Sequence, residues 1–211
     1  MKALLVIGGE KPSWGFFEKI ESDYDVIAAA DSGLDYLLER GKAPFLMAGD
    51  MDSLRDPSIL QELKNTEIIR ASRYKDETDT ELAMEALRQR GYHKITLYGG
   101  GGGRIDHIFA LKTLFEQENP PLEWFTAREG IILVNRRIRL GDKINRRVSL
   151  FPVGPVVCRL RSRGLRWPLD ELVWDRRGFG ISNEVISEDS FVEPKEGTAI
   201  LIYDLDSEDR G

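Results

Sequence analysis

The chain has one cysteine, two histidines and no long apolar run. A single cysteine, Cys158, can form neither an intrachain disulfide nor a zinc set, so a stapled secreted fold and a structural zinc site are excluded. It is expected to be a small buried apolar residue in a reducing compartment. No apolar stretch approaches the roughly 18 residues that a membrane span requires. A secretion signal can be sketched from Lys2, the run Ala3 to Ile7 and the small residues Ala28 to Ala30, but Glu10, Lys11, Glu18, Lys19, Glu21, Asp23 and Asp25 interrupt it. The start is therefore read as a first buried strand, and the protein as cytoplasmic. Positive charge is also in short supply. The 30 Lys and Arg against 36 Asp and Glu leave a net charge of −6, which gives a nucleic-acid partner little electrostatic support. Neither the G-x-x-x-x-G-K-[ST] phosphate loop nor the G-x-G-x-x-G fingerprint occurs, so nucleotide chemistry would have to come from other residues.

With 211 residues, 41% of them hydrophobic, the chain can bury a proper core. As far as about residue 127, short β-rich runs alternate with helical stretches, which predicts a mostly parallel, Rossmann-like α/β sheet with helical crossovers. The expected strands are Ala3 to Ile7, Asp25 to Ala30, Phe45 to Ala48, Glu67 to Arg70, Lys94 to Tyr98 and Leu122 to Phe125. One helix is expected to begin at Ser32 with Asp35 three residues on and to close at Gly41. A second opens with the capping box Thr78 and Glu81 and stops at Gly91, and a third runs from about Arg104 to Gln117. After Gly130 helical periodicity fades. Runs such as Ile131 to Val134, Val148 to Phe151, Val156 to Leu160 and Thr198 to Tyr203 predict an all-β second unit. The expected division is 1–129 and 130–211, with the acidic tail from Asp204 frayed.

Aspartates arrive on several loops at what a parallel sheet would make one edge. Asp31 ends the second strand, Asp50 and Asp52 follow the third, and Asp76, Glu77, Asp79 and Glu81 crowd one helix start. If the backbone stays extended, Asp50 and Asp52 point to one side, an arrangement suited to magnesium, which takes one or two carboxylates plus water and phosphate. The competing reading is that Asp50 and Asp52 are turn formers and that Asp79 only complements a helix dipole. The density at residues 76–81 exceeds what capping requires. The run Gly99 to Gly103 precedes a helix and is read as letting backbone N–H groups approach a phosphate, with Arg104 as a bidentate donor. A flexible loop is the alternative there, and His107 is as readily a surface residue as a catalytic one. Arg159, Arg161 and Arg163 alternate with Cys158, Leu160 and Ser162, which favours a solvated strand face over anion binding. Trp167 is either core or an accessible indole that could stack on a flat heterocycle whose edge Ser182 and Asn183 would read.

Taken together, ADSG at 30–33, GDMDS at 49–53, KDETDTELA at 75–83, GGGGGRIDH at 99–107, SLFPVG at 149–154, GLRWPLD at 164–170 and GISNE at 180–184 resemble the thiamine pyrophosphokinase family from the first strand almost to the end. The resemblance implies an N-terminal nucleotide-binding α/β domain, a C-terminal thiamine-binding β-sandwich, and a homodimer with thiamine sites where domains and subunits meet. It implies Asp50, Asp52 and Asp79 as magnesium ligands, and Asp31, Lys75, Thr78, Gly100, Arg104 and Asp106 as phosphate and nucleotide contacts. Trp167, Ser182 and Asn183 correspond to thiamine contacts. The implied reaction moves the β,γ-diphosphate of ATP onto thiamine and releases AMP, with Asp79, Asp52 and Arg104 catalytic and Asp79 preferred over Asp52 as proton acceptor. Ser32 and Met51 depart from the family's usual Gly and Phe. Two other readings stay open at this point: diphosphate transfer to a different heterocyclic alcohol such as a hydroxymethylpterin, and a non-catalytic protein that binds thiamine diphosphate or a nucleotide.

Overall fold

The computed structural model describes residues 1–51, 56–70, 77–154, 156–175 and 177–211, and the chain divides into two compact units. The first comprises Met1–Leu111, Trp124–Arg128 and Ser207–Gly211; the second comprises Lys112–Glu123 and Glu129–Asp206. A single boundary at 129/130 does not describe this division, because the two units interleave in sequence.

In the first unit, β1 (Lys2–Val6), β2 (Val26–Ala30), β3 (Leu46–Gly49), β4 (Glu67–Arg70) and β5 (Lys94–Tyr98) lie within one residue of their expected spans. With β6 (Glu123–Phe125) the strand order is β6-β5-β1-β2-β3-β4, and the pairings among β1 to β5 are parallel. β1 and β3 are buried almost end to end, as a parallel sheet covered on both faces requires.

Helices α1 (Trp14–Ile20), α2 (Gly33–Leu38), α3 (Asp79–Gln89) and α4 (Ile105–Thr113) complete this half. α3 carries the expected capping box: the Thr78 hydroxyl accepts from the Glu81 amide at 3.2 Å and the Glu81 carboxylate accepts from the Thr78 amide at 2.9 Å. α2 departs from expectation at its start. Ser32 has helical backbone angles and makes no capping bond, since a cap side chain reaches the next turn only from an extended residue. The Leu34 amide donates instead to the Asp31 carbonyl at 3.1 Å. α4 is shorter than the span from Arg104 to Gln117, giving way at Leu114–Glu116 to a 3₁₀ turn. α1, which no sequence signal delimited above, is capped by Ser13, whose hydroxyl accepts from the Phe16 amide at 3.2 Å.

The acidic tail does not fray. The Lys19 ammonium donates to Glu208 at 2.8 Å and to Asp209 at 2.7 Å, the Ser13 amide donates to the Asp209 carbonyl, and the Gly211 amide to the Ala127 carbonyl. Composition suggested solvation, but Lys19 pairs with Glu208 and Asp209, Arg146 with Asp206 and Arg147 with Asp204, and Asp209 is buried.

The second unit holds β7 (Glu129–Val134), β8 (Ile138–Arg139), β9 (Arg147–Val153), β10 (Cys158–Arg163), β11 (Val173–Trp174), β12 (Gly180–Glu184), β13 (Phe191–Glu196) and β14 (Thr198–Asp204). They pair antiparallel in the orders β12-β9-β14-β7 and β11-β10-β13-β8. On β10, Arg159, Arg161 and Arg163 pair with Glu196, Glu193 and Asp189, the pattern of a solvated strand face. Cys158 and Leu160 between them are buried, and burial pushes the Cys158 thiol up to about 11, which makes it inert. Among the described residues no helix is long and apolar enough to cross a membrane.

Candidate active site

The strand order of the first unit reverses between β1 and β5, and in open α/β sheets ligands bind beyond the carboxyl ends of strands near such a reversal. The residues delivered to that edge are Gly8 to Lys11 after β1, Asp31 after β2, Asp50 after β3, Asp79 at the start of α3, and the glycine run after β5.

Asp31, Asp50 and Asp79 each place one carboxylate oxygen so that all three lie within 4.8 Å of one another, and each residue is partly exposed. Backbone geometry builds this group. Asp31 sits in the left-handed region at φ 50°, which Asp tolerates better than most residues, and its amide donates to the Ala48 carbonyl of β3 at 3.2 Å. Gly49 leaves the space the carboxylates use, for a Cβ there would lie 3.3 Å from Asp31 Oδ1 and 3.6 Å from Asp79 Cγ. Sequence analysis grouped Asp50 with Asp52 and Asp79 and assigned Asp31 to the nucleotide; the structure brings Asp31 into the acidic group. Asp52, Lys75 and Asp76 lie outside the described residues. Extended backbone, the condition for Asp50 and Asp52 to point together, fails at Met51, which has φ 69°. Three carboxylates this close repel one another, and their hard oxygens suit a magnesium ion.

The glycine run has a different local explanation from the expected one. The amides of Gly99, Gly100 and Gly101 donate to the carbonyls of Phe125, Gly8 and Glu10, at 2.8, 2.7 and 3.1 Å. Their donors are committed to the protein, so among these glycines only Gly102 and Gly103 retain amides for an anion. What favours glycine at 100 is its left-handed backbone, at φ 78°. Beyond the run, Arg104 reaches back to Asp106, Nε to Oδ1 at 3.1 Å, with both side chains exposed. That pairing holds the Asp106 carboxyl below its usual range and presents Arg104 at the surface with one acid already engaged. Thr78 is occupied by its capping box, and His107 is exposed on α4.

In the second unit Trp167 is 57% exposed, so it is not core. Asn183, only 5% exposed, is its clamp: Oδ1 accepts from the Trp167 amide at 3.1 Å and Nδ2 donates to the Trp167 carbonyl at 2.7 Å. Asn183 thus holds the indole's backbone, where sequence analysis had it reading a heterocycle's edge; residue type alone carries no signal for that difference. Ser182 is left-handed at φ 58° where the β12–β9 register shifts, and its amide donates to the Ser149 hydroxyl at 3.1 Å. Replacing Asn183 by Ala should free Trp167 and raise KM for a heterocyclic substrate at that indole by up to about thirtyfold, since the two hydrogen bonds to Trp167, roughly 1 kcal/mol each, are lost. Steady-state kinetics with that substrate varied would show it, and an unchanged KM would remove the clamp from the site.

Residues 17–123 match the family model described as thiamin pyrophosphokinase, catalytic domain, and residues 133–198 match thiamin pyrophosphokinase, vitamin B1 binding domain. The chain belongs to the thiamin pyrophosphokinase family. A thiamine pyrophosphokinase of Bacillus subtilis (strain 168) is 24% identical to it, over 96% of this chain and 98% of that one. The crystal structure of a thiamin pyrophosphokinase family protein from Enterococcus faecalis superposes with a TM-score of 0.80 at 25% identity, covering 98% of this chain and all (100%) of that one. The thiamin pyrophosphokinase of Candida albicans has a TM-score of 0.75 at 19% identity, covering 97% and 89% of the two chains; that likeness bears on the fold alone. Among the family segments quoted from the sequence, ADSG brings the left-handed Asp31, GLRWPLD the exposed Trp167 and GISNE the buried Asn183.

Proposed function

We propose that this member of the family attaches the β,γ-diphosphate of ATP to the hydroxyl oxygen of thiamine, giving thiamine diphosphate and AMP. The observation that carries the reading is the match of both family models, catalytic and vitamin B1 binding, to the two parts of one chain. The second match disfavours a pterin alcohol as acceptor, and the relatives' names disfavour a non-catalytic binding protein.

In the proposed reaction the thiamine hydroxyl oxygen forms a bond to the β-phosphorus of ATP while the bond from that phosphorus to the α,β-bridging oxygen breaks and AMP leaves. Asp31, Asp50 and Asp79 would hold magnesium, with Asp52 as the further ligand implied by the resemblance. When bound, the ion supplies positive charge to offset that on the phosphate oxygens. Asp79 accepts the hydroxyl proton, and Arg104, turning from Asp106 to phosphate, binds the transferring group. Asp106, Thr78, Lys75 and the Gly100 turn remain in the proposal as shapers of the nucleotide site, Gly100 through its left-handed turn. Trp167, clamped by Asn183, offers an indole face to the cationic thiazolium, a contact worth about 0.5 to 2 kcal/mol.

The proposal includes a sandwich of the two antiparallel sheets of the second unit, and a homodimer. Supporting the latter, Ile105 and Phe109, one turn apart on α4, Phe179 beside β12 and Ile181 within it leave large apolar side chains exposed. The activity is tested by incubating the protein with ATP, magnesium and thiamine and identifying the products. AMP with thiamine diphosphate is expected, with activity lost on chelating magnesium; ADP with thiamine monophosphate would overturn the reading.

A further inference from the structure

Lys11 stands at the strand-order reversal, on the loop that follows β1. Its ammonium donates to the Gly9 carbonyl at 2.8 Å and lies 5.2 Å from the centre of the Tyr36 ring of α2. Its Cγ lies 3.1 Å from the position a Cβ on Gly99 would take, so the stem of Lys11 packs on the first glycine of the run after β5. Among the described residues no carboxylate comes within ion-pairing distance of it. The side chain is half-buried, and its loop is tied to neighbouring segments. Tyr98 donates to the Ser13 carbonyl at 3.0 Å, the Ser13 amide donates to Asp209, and Gly211 packs on the Lys11 backbone carbonyl.

A desolvated ammonium without a carboxylate partner, fixed by its neighbours between two glycine turns at the ligand-binding edge, is placed to receive an anion. Among the described residues, two other cations near this edge are differently engaged. Arg104 is paired with Asp106, and Arg40 donates to the Tyr36 carbonyl and pairs with Glu39 while lying over the Trp14 and Tyr36 rings. The amides of Gly99 to Gly101 are used internally. We propose that Lys11 is a phosphate-binding residue of the nucleotide site, its ammonium turning from the Gly9 carbonyl to the phosphate oxygens of ATP. The inference rests on the diphosphate-transfer reading and adds to it a residue outside the family segments quoted above.

The groups facing Lys11 set how this contact depends on pH. Burial lowers the ammonium's pKa to about 8, Asp35 and Glu39 of α2 oppose that, and Arg40 of α2 adds to it. Tyr36 of α2 and Tyr98 of β5 border the loop as neutral hydroxyls at physiological pH, and Asp209 of the C-terminal segment is committed to Lys19. Glu10 on the same loop turns its carboxyl toward Gly102. As pH rises through about 8 the free protein therefore loses this positive charge, and ATP affinity should fall with it.

The test is calorimetric titration of the full chain with magnesium and the non-cleavable analogue α,β-methylene-ATP, alongside thiamine, for the unsubstituted protein, Lys11→Met and Lys11→Arg. Lys11→Met should weaken the ATP analogue about ten- to a hundredfold, the range for a hydrogen bond to a charged group, and leave thiamine affinity within about twofold. Lys11→Arg should recover much of the affinity and abolish its fall above pH 8, because a guanidinium stays charged there. Unchanged affinity in Lys11→Met overturns the proposal. So does a parallel loss for both ligands with a lowered melting temperature, which would mark Lys11 as a structural prop, or an alkaline fall that persists in Lys11→Arg. A protein that binds the analogue but makes no thiamine diphosphate refutes the activity and still tests Lys11; one that binds no ATP at all refutes both.

Discussion

Replacing Asp79 by Asn should lower the rate of thiamine diphosphate formation by about a thousandfold or more, equivalent to roughly 4 kcal/mol of lost transition-state stabilisation. Two roles are lost at once. The amide supplies a weaker oxygen to the ion shared with Asp31 and Asp50, and it cannot accept the thiamine proton. The fold should survive, because Thr78 and Glu81 still cap α3. The variant keeps two of the three closely spaced carboxylates. Adding magnesium should then raise its melting temperature less than that of the original. Turnover close to normal would take Asp79 out of the metal site, and an unchanged response to magnesium would dissolve the acidic group as its binding place.

Gly33→Ala should be the most damaging small substitution for stability. A Cβ at this position would lie 2.2 Å from the Val6 carbonyl oxygen and 2.6 Å from its carbon, so α2 begins in direct backbone contact with the end of β1. Neither partner is a flexible side chain that could swing away. Relief requires α2 to lift off the sheet, exposing Leu34 and Leu37, both fully buried, at a cost of about 3 kcal/mol or more. Because Asp31 leads directly into this turn, the acidic group should be disturbed as well. Chemical denaturation would measure the loss, and a change below about 1 kcal/mol would show that the approach is looser than described.

Residue pattern made the first unit legible where several local signals agreed. Thr78, Glu81 and Gly91 bracket α3, and buried runs without alternation mark β1 and β3 as parallel strands. Where one signal has two physical causes, residue pattern does not choose between them. A glycine run serves either anion binding or close packing, and only the Phe125, Gly8 and Glu10 carbonyls reveal which holds at residues 99–101. An acidic tail reads as solvated until Lys19, far away in sequence, appears beside it. Asp31 joined the metal candidates through a left-handed turn that its residue type permits without requiring. Asn183 belongs to the same class, since a buried amide can read a ligand or hold a neighbour's backbone equally well.

The return of Ser207–Gly211 to the first unit bears on how the chain acquires its structure and how it can be cut. A ribosome delivers the N-terminal unit first, yet Lys19 and Ser13 meet Glu208 and Asp209 only after the whole second unit has been synthesised. The N-terminal half therefore emerges missing one of its own fasteners, on the loop that bears Lys11. A gene fragment ending near residue 129 would omit that fastener for good.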